Sequence, residues 1–158
     1  GVITVSSRTD ANDNDTLINV EQVQFADQVF IPAYEEDLQV ISMFYQQILG
    51  RRAEVDGFQW QAQHSGLGVS LGQLAVNFLE SEEFTLKTGI EFDQLTIDNQ
   101  IEALYNHVLG RESDAGGKAA WLEYVDAGHT IVEVAEGFLD SEETQGLFMA
   151  ATEWNFIV

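Results

Sequence analysis

The chain has 158 residues, of which 45% are apolar and 21% are charged, a composition typical of a folded globular protein. Its 27 Asp and Glu residues outnumber six Lys and Arg, and the net charge of −21 argues against nucleic acid or anionic membranes as partners. It contains no cysteine for disulfides or thiol chemistry, and no apolar run is long enough to insert into a membrane.

Residues 1–32 are predicted to form a short β segment. Three runs of β-branched and aromatic residues alternate with polar turns, and Pro32, the only proline, ends the segment. Three short strands are not stable alone, so we expect this segment to pack on the rest of the chain or to continue a larger β-structure.

A polar stretch within this segment, residues 10–21, has part of the spacing of a calcium-binding loop. Oxygen-bearing side chains occupy the positions of Asp10, Asn12, Asn14 and Glu21. The sixth position of the loop is Asp15 where a glycine is usual, and a strand-like sequence follows it. The stretch is therefore either a weak Ca²⁺ site or a solvated acidic loop.

The remainder of the chain contains an internal repeat with an offset of sixty residues. Residues 44–84 align without a gap on residues 104–144, and twelve of the forty-one paired positions are identical. The identical residues include Tyr45 and Tyr105, Gly50 and Gly110, Arg51 and Arg111, Gly57 and Gly117, and the Ser-Glu-Glu triplets that begin at Ser81 and Ser141. Such self-similarity predicts two tandem copies of one structural unit.

Each copy is predicted to contain about four short helices. Apolar residues recur at helical spacing, glycines follow the first helix of each copy, and Ser or Thr precedes the later helices as an N-cap. We place repeat 1 at residues 33–94 and repeat 2, with a C-terminal tail, at residues 95–158. The fold class is mainly α with a small N-terminal β segment, and the two repeats are expected to share one core.

Arg51 and Arg111 occupy the same place in the two repeats of a chain that has only six basic residues. A guanidinium group can form a bidentate pair with a carboxylate, so structural ion pairs within each repeat are the favoured interpretation. The alternative is a clamp for an anionic ligand such as a sugar acid.

The pattern Tyr-x-x-x-Leu-Gly-Arg, followed by an acidic residue, Gly, Trp and Phe-Leu-x-Ser-x-Glu, resembles the bacterial helical domain of unknown function 4214. Repeat 2 resembles it best, through Arg111, Asp114, Gly117 and Trp121. Repeat 1 departs from it because Trp60 precedes the expected position, where we expect the indole to be redirected into the core. The resemblance implies a unit similar to phycobilisome linker repeats, found in secreted S-layer and RTX-type proteins and often preceded by a β segment.

The resemblance and the missing motifs together predict a non-catalytic function. We find no Gly-x-Ser-x-Gly motif, phosphate-binding loop or zinc-spaced histidine pair. The predicted function is an extracellular or cell-surface module for attachment, S-layer or adhesin assembly. Its partner would be another protein, a cell-surface polysaccharide or a second copy of itself.

The alternative function is a polysaccharide-binding ancillary domain of a secreted hydrolase. Its candidate ligand aromatics are Trp60, Tyr124 and Trp154. Residues 153–158 also resemble the tail of proteins exported by type I secretion, although the same apolar residues could simply pack on the last helix.

Overall fold

The structure is a computed structural model that describes the backbone of residues 2–6, 14–18, 23–24, 29–30 and 35–150, and the side chains of residues 37–146. Within it, β1 (Val2–Ser6) pairs antiparallel with β2 (Asn14–Ile18), and β3 (Val23–Gln24) pairs antiparallel with β4 (Val29–Phe30). Much of residues 1–32 lies outside the described part, so the larger β-structure expected there stays a prediction.

The rest of the described chain is helical, which confirms the mainly α fold class. Repeat 1 contains α1 (Glu35–Gln47), α2 (Val55–Gly66), α3 (Leu71–Leu79) and α4 (Glu82–Thr88), followed by a 3₁₀ turn (Phe92–Gln94). Repeat 2 contains α5 (Ile97–Leu104) with a π-helical turn (Tyr105–Leu109), α6 (Ala115–Asp126), α7 (Ile131–Leu139) and α8 (Glu142–Ala150).

Equivalent local sequences begin and end these helices in both repeats. The hydroxyl oxygen of Ser70 accepts a hydrogen bond from the backbone at the start of α3, and that of Thr130 does the same for α7. Gly50 and Gly110 follow the first helix of each repeat with φ angles of 66° and 71°, which glycine adopts without steric cost. The chain therefore turns in the same way in both copies.

The two repeats pack against each other through equivalent helices. Helix α3 packs along α7, α1 contacts the π-helical turn and α8, and the Phe84 ring of α4 contacts the His107 ring of that turn at 4.8 Å. These reciprocal contacts are those of two units related by an approximate two-fold axis. One apolar core runs through both repeats and includes fully buried Phe44, Phe84 and Phe92.

Helices α3 and α7 approach most closely at Gly72. A Cβ atom at this position would lie 2.6 Å from the backbone oxygen of Val132 and 2.8 Å from the backbone nitrogen of Glu136. Only a hydrogen atom fits there, so the missing side chain allows the two backbones to meet. Val132 is the residue of repeat 2 that is equivalent to Gly72, so this contact is not symmetric.

Candidate functional site

The first candidate is the arginine that recurs in both repeats. In repeat 1, Arg51 forms a bidentate ion pair with Glu83, in which Nη2 donates to Oε2 at 2.8 Å, and Nη1 pairs with Glu54. The guanidinium carbon also lies 5.0 Å from the centre of the Tyr45 ring. Because the guanidinium donates these hydrogen bonds, the pKa values of the Glu83 and Glu54 carboxyls are lowered.

Arg111 repeats this arrangement in the second copy. It donates from Nε to Glu143 at 2.5 Å and from Nη2 to the other oxygen of the same carboxylate at 2.8 Å. Its guanidinium carbon lies 4.8 Å from the centre of the Tyr105 ring. Asp114 is more distant, at 3.8 Å. We call each set of contacts an arginine fork, and the fork of repeat 1 has one more close carboxylate than the fork of repeat 2.

The residues that recur around the forks are also explained by packing. Tyr45 and Tyr105 are buried beneath the arginines, and burial, the largest cause, raises the pKa of both hydroxyls, that of Tyr45 to about 12. A Cβ atom at Gly57 would lie 2.7 Å from the Tyr45 hydroxyl, and one at Gly117 would lie 2.4 Å from the Tyr105 hydroxyl. Each recurring glycine therefore makes room for a recurring tyrosine.

The arginine side chains are not deeply buried. They are 35% exposed at Arg51 and 39% exposed at Arg111, so solvent screens both ion pairs. Two or three N–H groups of each guanidinium already bond to carboxylates of the same repeat, and one more bonds to a backbone oxygen. The geometry of both forks is therefore that of a structural ion pair at the surface.

The second candidate, Trp60, lies at the surface of repeat 1, as the ligand-binding alternative requires. The expectation that its indole is redirected into the core is wrong, because the residue is 52% exposed. In repeat 2, Trp121 packs on the Phe138 ring at 5.2 Å and passes over Gly137, where a Cβ atom would lie 2.5 Å from the indole. The residue equivalent to Gly137 in repeat 1 is the exposed Asn77, so repeat 1 lacks the glycine over which the indole of Trp121 passes.

Gln61 stands at the position of Trp121 in repeat 1, and it fills that position poorly. Its Oε1 atom is buried and accepts no hydrogen bond from the residues described. Leaving a buried carbonyl oxygen without a donor is unfavourable. With Gln61 at this position, repeat 1 lacks the apolar contact that Trp121 makes with Phe138 in repeat 2, and its own tryptophan, Trp60, lies at the surface.

Trp60 is held in place on the surface by a histidine one turn later. The rings of Trp60 and His64 are 3.7 Å apart between centres and inclined by 33°, and His64 Nδ1 lies 2.7 Å from the Trp60 carbonyl oxygen, which accepts its hydrogen bond. Leu67, 61% exposed, directly follows α2 and lies two turns beyond Trp60, on the same side as its indole. We call Trp60, His64 and Leu67 the α2 stripe.

Among the side chains that the structure describes, exposed large apolar residues are concentrated in repeat 1. In the part of the chain whose side chains are described, four large apolar residues are at least half exposed: Val55, Trp60, Leu67 and Leu86. The equivalent residues of repeat 2 are Ala115, Ala120, Ala127 and Gly146. At each of these positions repeat 2 has a smaller residue, and therefore less apolar surface than repeat 1 presents.

Charge differs between the repeats in the same region. The 23 residues from Gly57 to Leu79 include no Asp, Glu, Lys or Arg, although 21% of the chain is charged. The equivalent residues of repeat 2 include five: Lys118, Glu123, Asp126, Glu133 and Glu136. The α2 stripe itself carries no carboxylate, and the exposed Asp56 lies one turn before Trp60 on the same side of α2.

Of the other predicted site residues, only Tyr124 has a side chain within the described part of the chain. Tyr124 lies on α6, is partly buried, and stacks on His129 with ring centres 3.7 Å apart. Trp154, Asp10, Asn12 and Glu21 lie outside the described residues, and for Asn14 only the backbone, in β2, is described. Among the residues that the structure describes, no group of three acidic or histidine side chains could hold a metal ion.

The family comparison concerns repeat 2. Residues 89–148 match the family model described as Domain of unknown function (DUF4214), which confirms the resemblance for that repeat. No curated protein and no solved structure matches the chain. Within the described residues, no helix is both long and apolar enough to cross a membrane.

Sequence reasoning identified Trp60 but missed His64 and Leu67. Two signals could have found them: the spacing of residues 60, 64 and 67 along a helix, and the absence of charged residues from Gly57 to Leu79. Both signals become informative only when repeat 1 is compared with repeat 2.

Proposed function

We propose that the chain is a non-catalytic extracellular binding or assembly module of a larger secreted or surface protein. Its tasks would be attachment to a cell surface, or assembly of an S-layer or adhesin. The observation that carries this proposal is that the recurring Arg, Tyr and Gly residues bond and pack with one another within each repeat. Their recurrence is explained by the fold and needs no reaction.

The setting of the module is part of the same proposal. The resemblance of repeat 2 to a domain of secreted S-layer and RTX-type proteins favours an extracellular location and export by a type I system. A net charge of −21 suits a protein that meets divalent cations outside the cell. We therefore keep Ca²⁺ as the proposed cofactor of Asp10, Asn12, Asn14 and Glu21.

A co-sedimentation experiment tests the proposal. Labelled protein is mixed with purified bacterial envelopes in calcium or in chelator, and its own association is measured in parallel by sedimentation velocity. We expect binding to envelopes, association between copies, or both, and a stronger effect in calcium. A protein that stays monomeric and free in both solutions would contradict the function.

The same experiment separates the two interpretations of the arginines. Arg51→Ala and Arg111→Ala should bind as the wild type does at a temperature where they remain folded, because their partners are carboxylates of their own repeat. Loss of binding in a folded variant would instead indicate an anionic ligand at the fork.

The second candidate function is a polysaccharide-binding ancillary domain of a secreted hydrolase. The half-exposed indole of Trp60 favours it, since a surface tryptophan offers an apolar ring with a polar edge. The two candidates differ in the protein to which the module is attached, and both include contact with a polysaccharide.

A further inference from the structure

We propose that the α2 stripe of repeat 1 binds a neutral polysaccharide, with the Trp60 indole as the surface on which a sugar ring stacks. The inference rests on the proposed binding function and adds to it a site and a class of ligand. Its premise is that repeat 1 exposes the indole of Trp60, whereas the tryptophan of repeat 2, one position later in the aligned repeats, is partly buried and packs on Phe138.

The indole is ordered before any ligand arrives. His64 covers part of Trp60 at 3.7 Å, and the hydrogen bond from Nδ1 to the Trp60 carbonyl fixes the imidazole in turn. Because the ring is already oriented, a ligand loses less binding free energy to the ordering of this side chain. The apolar C–H groups on one side of a sugar ring match such a surface.

The net charge of the protein and the residues of the stripe itself point to an uncharged ligand. An acidic glycan would be repelled by a protein of net charge −21. A basic partner would be drawn to carboxylates, which are numerous over the surface and reach the stripe only at Asp56, one turn before Trp60. Gln59, exposed beside Trp60, instead supplies an amide that can donate to and accept from hydroxyl groups.

The small size of the stripe favours a sugar over a protein partner. A stable protein interface buries about 800 Å² on each side and involves roughly 20–30 residues per partner. The stripe exposes one indole and one leucine, and Val55, the other exposed apolar residue of α2, is five positions from Trp60 and so points to another side of the helix. An indole with one neighbouring apolar residue suffices for one or two sugar rings.

Affinity electrophoresis of the whole chain tests the inference. Native gels contain hydroxyethylcellulose, dextran or galactomannan as neutral polysaccharides, or alginate as an anionic one. We expect retardation of the wild type by at least one neutral polymer and no retardation by alginate. Trp60→Ala should lower the apparent affinity at least about tenfold, because an aromatic anchor contributes much of a small interface, and Trp60→Phe should restore part of it.

Leu86→Ala is the matched control, since Leu86 is an exposed apolar residue of the same repeat on a different helix. It should be retarded as the wild type is. Absence of retardation in every neutral gel, or equal retardation of Trp60→Ala, would overturn the inference. If the wild type instead forms a dimer that Trp60→Ala abolishes, the stripe is a contact between copies, and the assembly function stands without the polysaccharide.

Discussion

The two repeats share the arginine fork but differ in the helix pair that follows it. In repeat 2, Glu102 of α5 accepts hydrogen bonds from the Ser113 hydroxyl at 2.6 Å and from Lys118 Nζ at 3.0 Å, and Lys118 also pairs with Asp98 at 2.9 Å. The four equivalent residues of repeat 1 are Leu38, Ser42, Ala53 and Phe58. Repeat 1 thus joins α1 to α2 largely through apolar residues, where repeat 2 joins α5 to α6 through charges.

A comparison of the two repeats shows which residues the common fold requires and which residues differ between the copies. The glycines, tyrosines and arginines at the fork are identical and make equivalent contacts in both copies. The second helix of each repeat has diverged both where it faces the first helix and where it faces solvent. This helix carries more exposed apolar residues in repeat 1 and more charged residues in repeat 2. We infer that the two repeats have different tasks at their surfaces.

The largest expected loss of stability comes from a substitution at the contact between α3 and α7, where repeat 1 has Gly72 and repeat 2 has Val132. Gly72→Ala would place a methyl group 2.6 Å from the backbone oxygen of Val132, and neither backbone can move without separating α3 from α7. We expect the free energy of unfolding to fall by about 2–3 kcal/mol, as measured by urea denaturation. Gly146→Ala is the control, because a Cβ atom there meets nothing within 4 Å. In a helix, that variant should gain up to about 1 kcal/mol.

The next prediction tests whether Gly137 allows the Trp121 indole to pack on the core, in contrast to the exposed indole of Trp60. Gly137→Ala would bring a methyl group to within 2.5 Å of the Trp121 indole, so we expect a loss of about 1–2 kcal/mol. The loss should largely disappear in a Trp121→Gln background, which reproduces the residue found in repeat 1. A double-mutant cycle by thermal denaturation measures this coupling. Additive effects of the two substitutions would mean that residue 137 does not decide the path of the indole.

The sequence predicted correctly those features that depend on residues close to one another along the chain. The cap at Ser70, the left-handed glycines and the repeated arginine are set by a few neighbouring residues, and the structure has them where the sequence placed them. The exposure of Trp60 depends on which side of α2 packs on α1 and α3, and the contact at Gly72 depends on Val132, sixty residues away. Interactions of this kind are decided by how helices cross, which no local pattern encodes.

A smaller effect is expected at the forks, where the repeats are most alike. Arg51→Ala should lower the free energy of unfolding by about 1–2 kcal/mol, and Arg111→Ala by about 1 kcal/mol, because both side chains are screened by solvent and only Arg51 has a second close carboxylate. The difference should shrink as salt is added. Arg52→Ala, at an exposed neighbouring position, serves as the control in urea denaturation, and equal losses at positions 51 and 52 would contradict the importance of the fork.

The smallest effect should come from the polar network that only repeat 2 has. Hydrogen bonds from the Ser113 hydroxyl, then from its backbone, and then from Lys118 lower the pKa of Glu102 from 4.5 to about 2. Because the folded pKa is below the unfolded one, the stabilisation is present above pH 4.5 and is lost as the pH falls towards 2. The side chain is 30% exposed, so we expect Glu102→Gln to cost only about 1 kcal/mol at pH 7.

The pH dependence of the stability lost in Glu102→Gln distinguishes the hydrogen-bond network of Glu102 from a general effect of net charge. The difference in free energy of unfolding between the wild type and Glu102→Gln should decrease between pH 4.5 and pH 2, the interval in which the unfolded chain binds the proton and the folded chain does not. Glu123→Gln removes one charge from an exposed position on α6 and corrects for the change in net charge. If the two variants lose the same stability at every pH, Glu102 acts through general charge, and the helix pair of repeat 2 is not held together by this network.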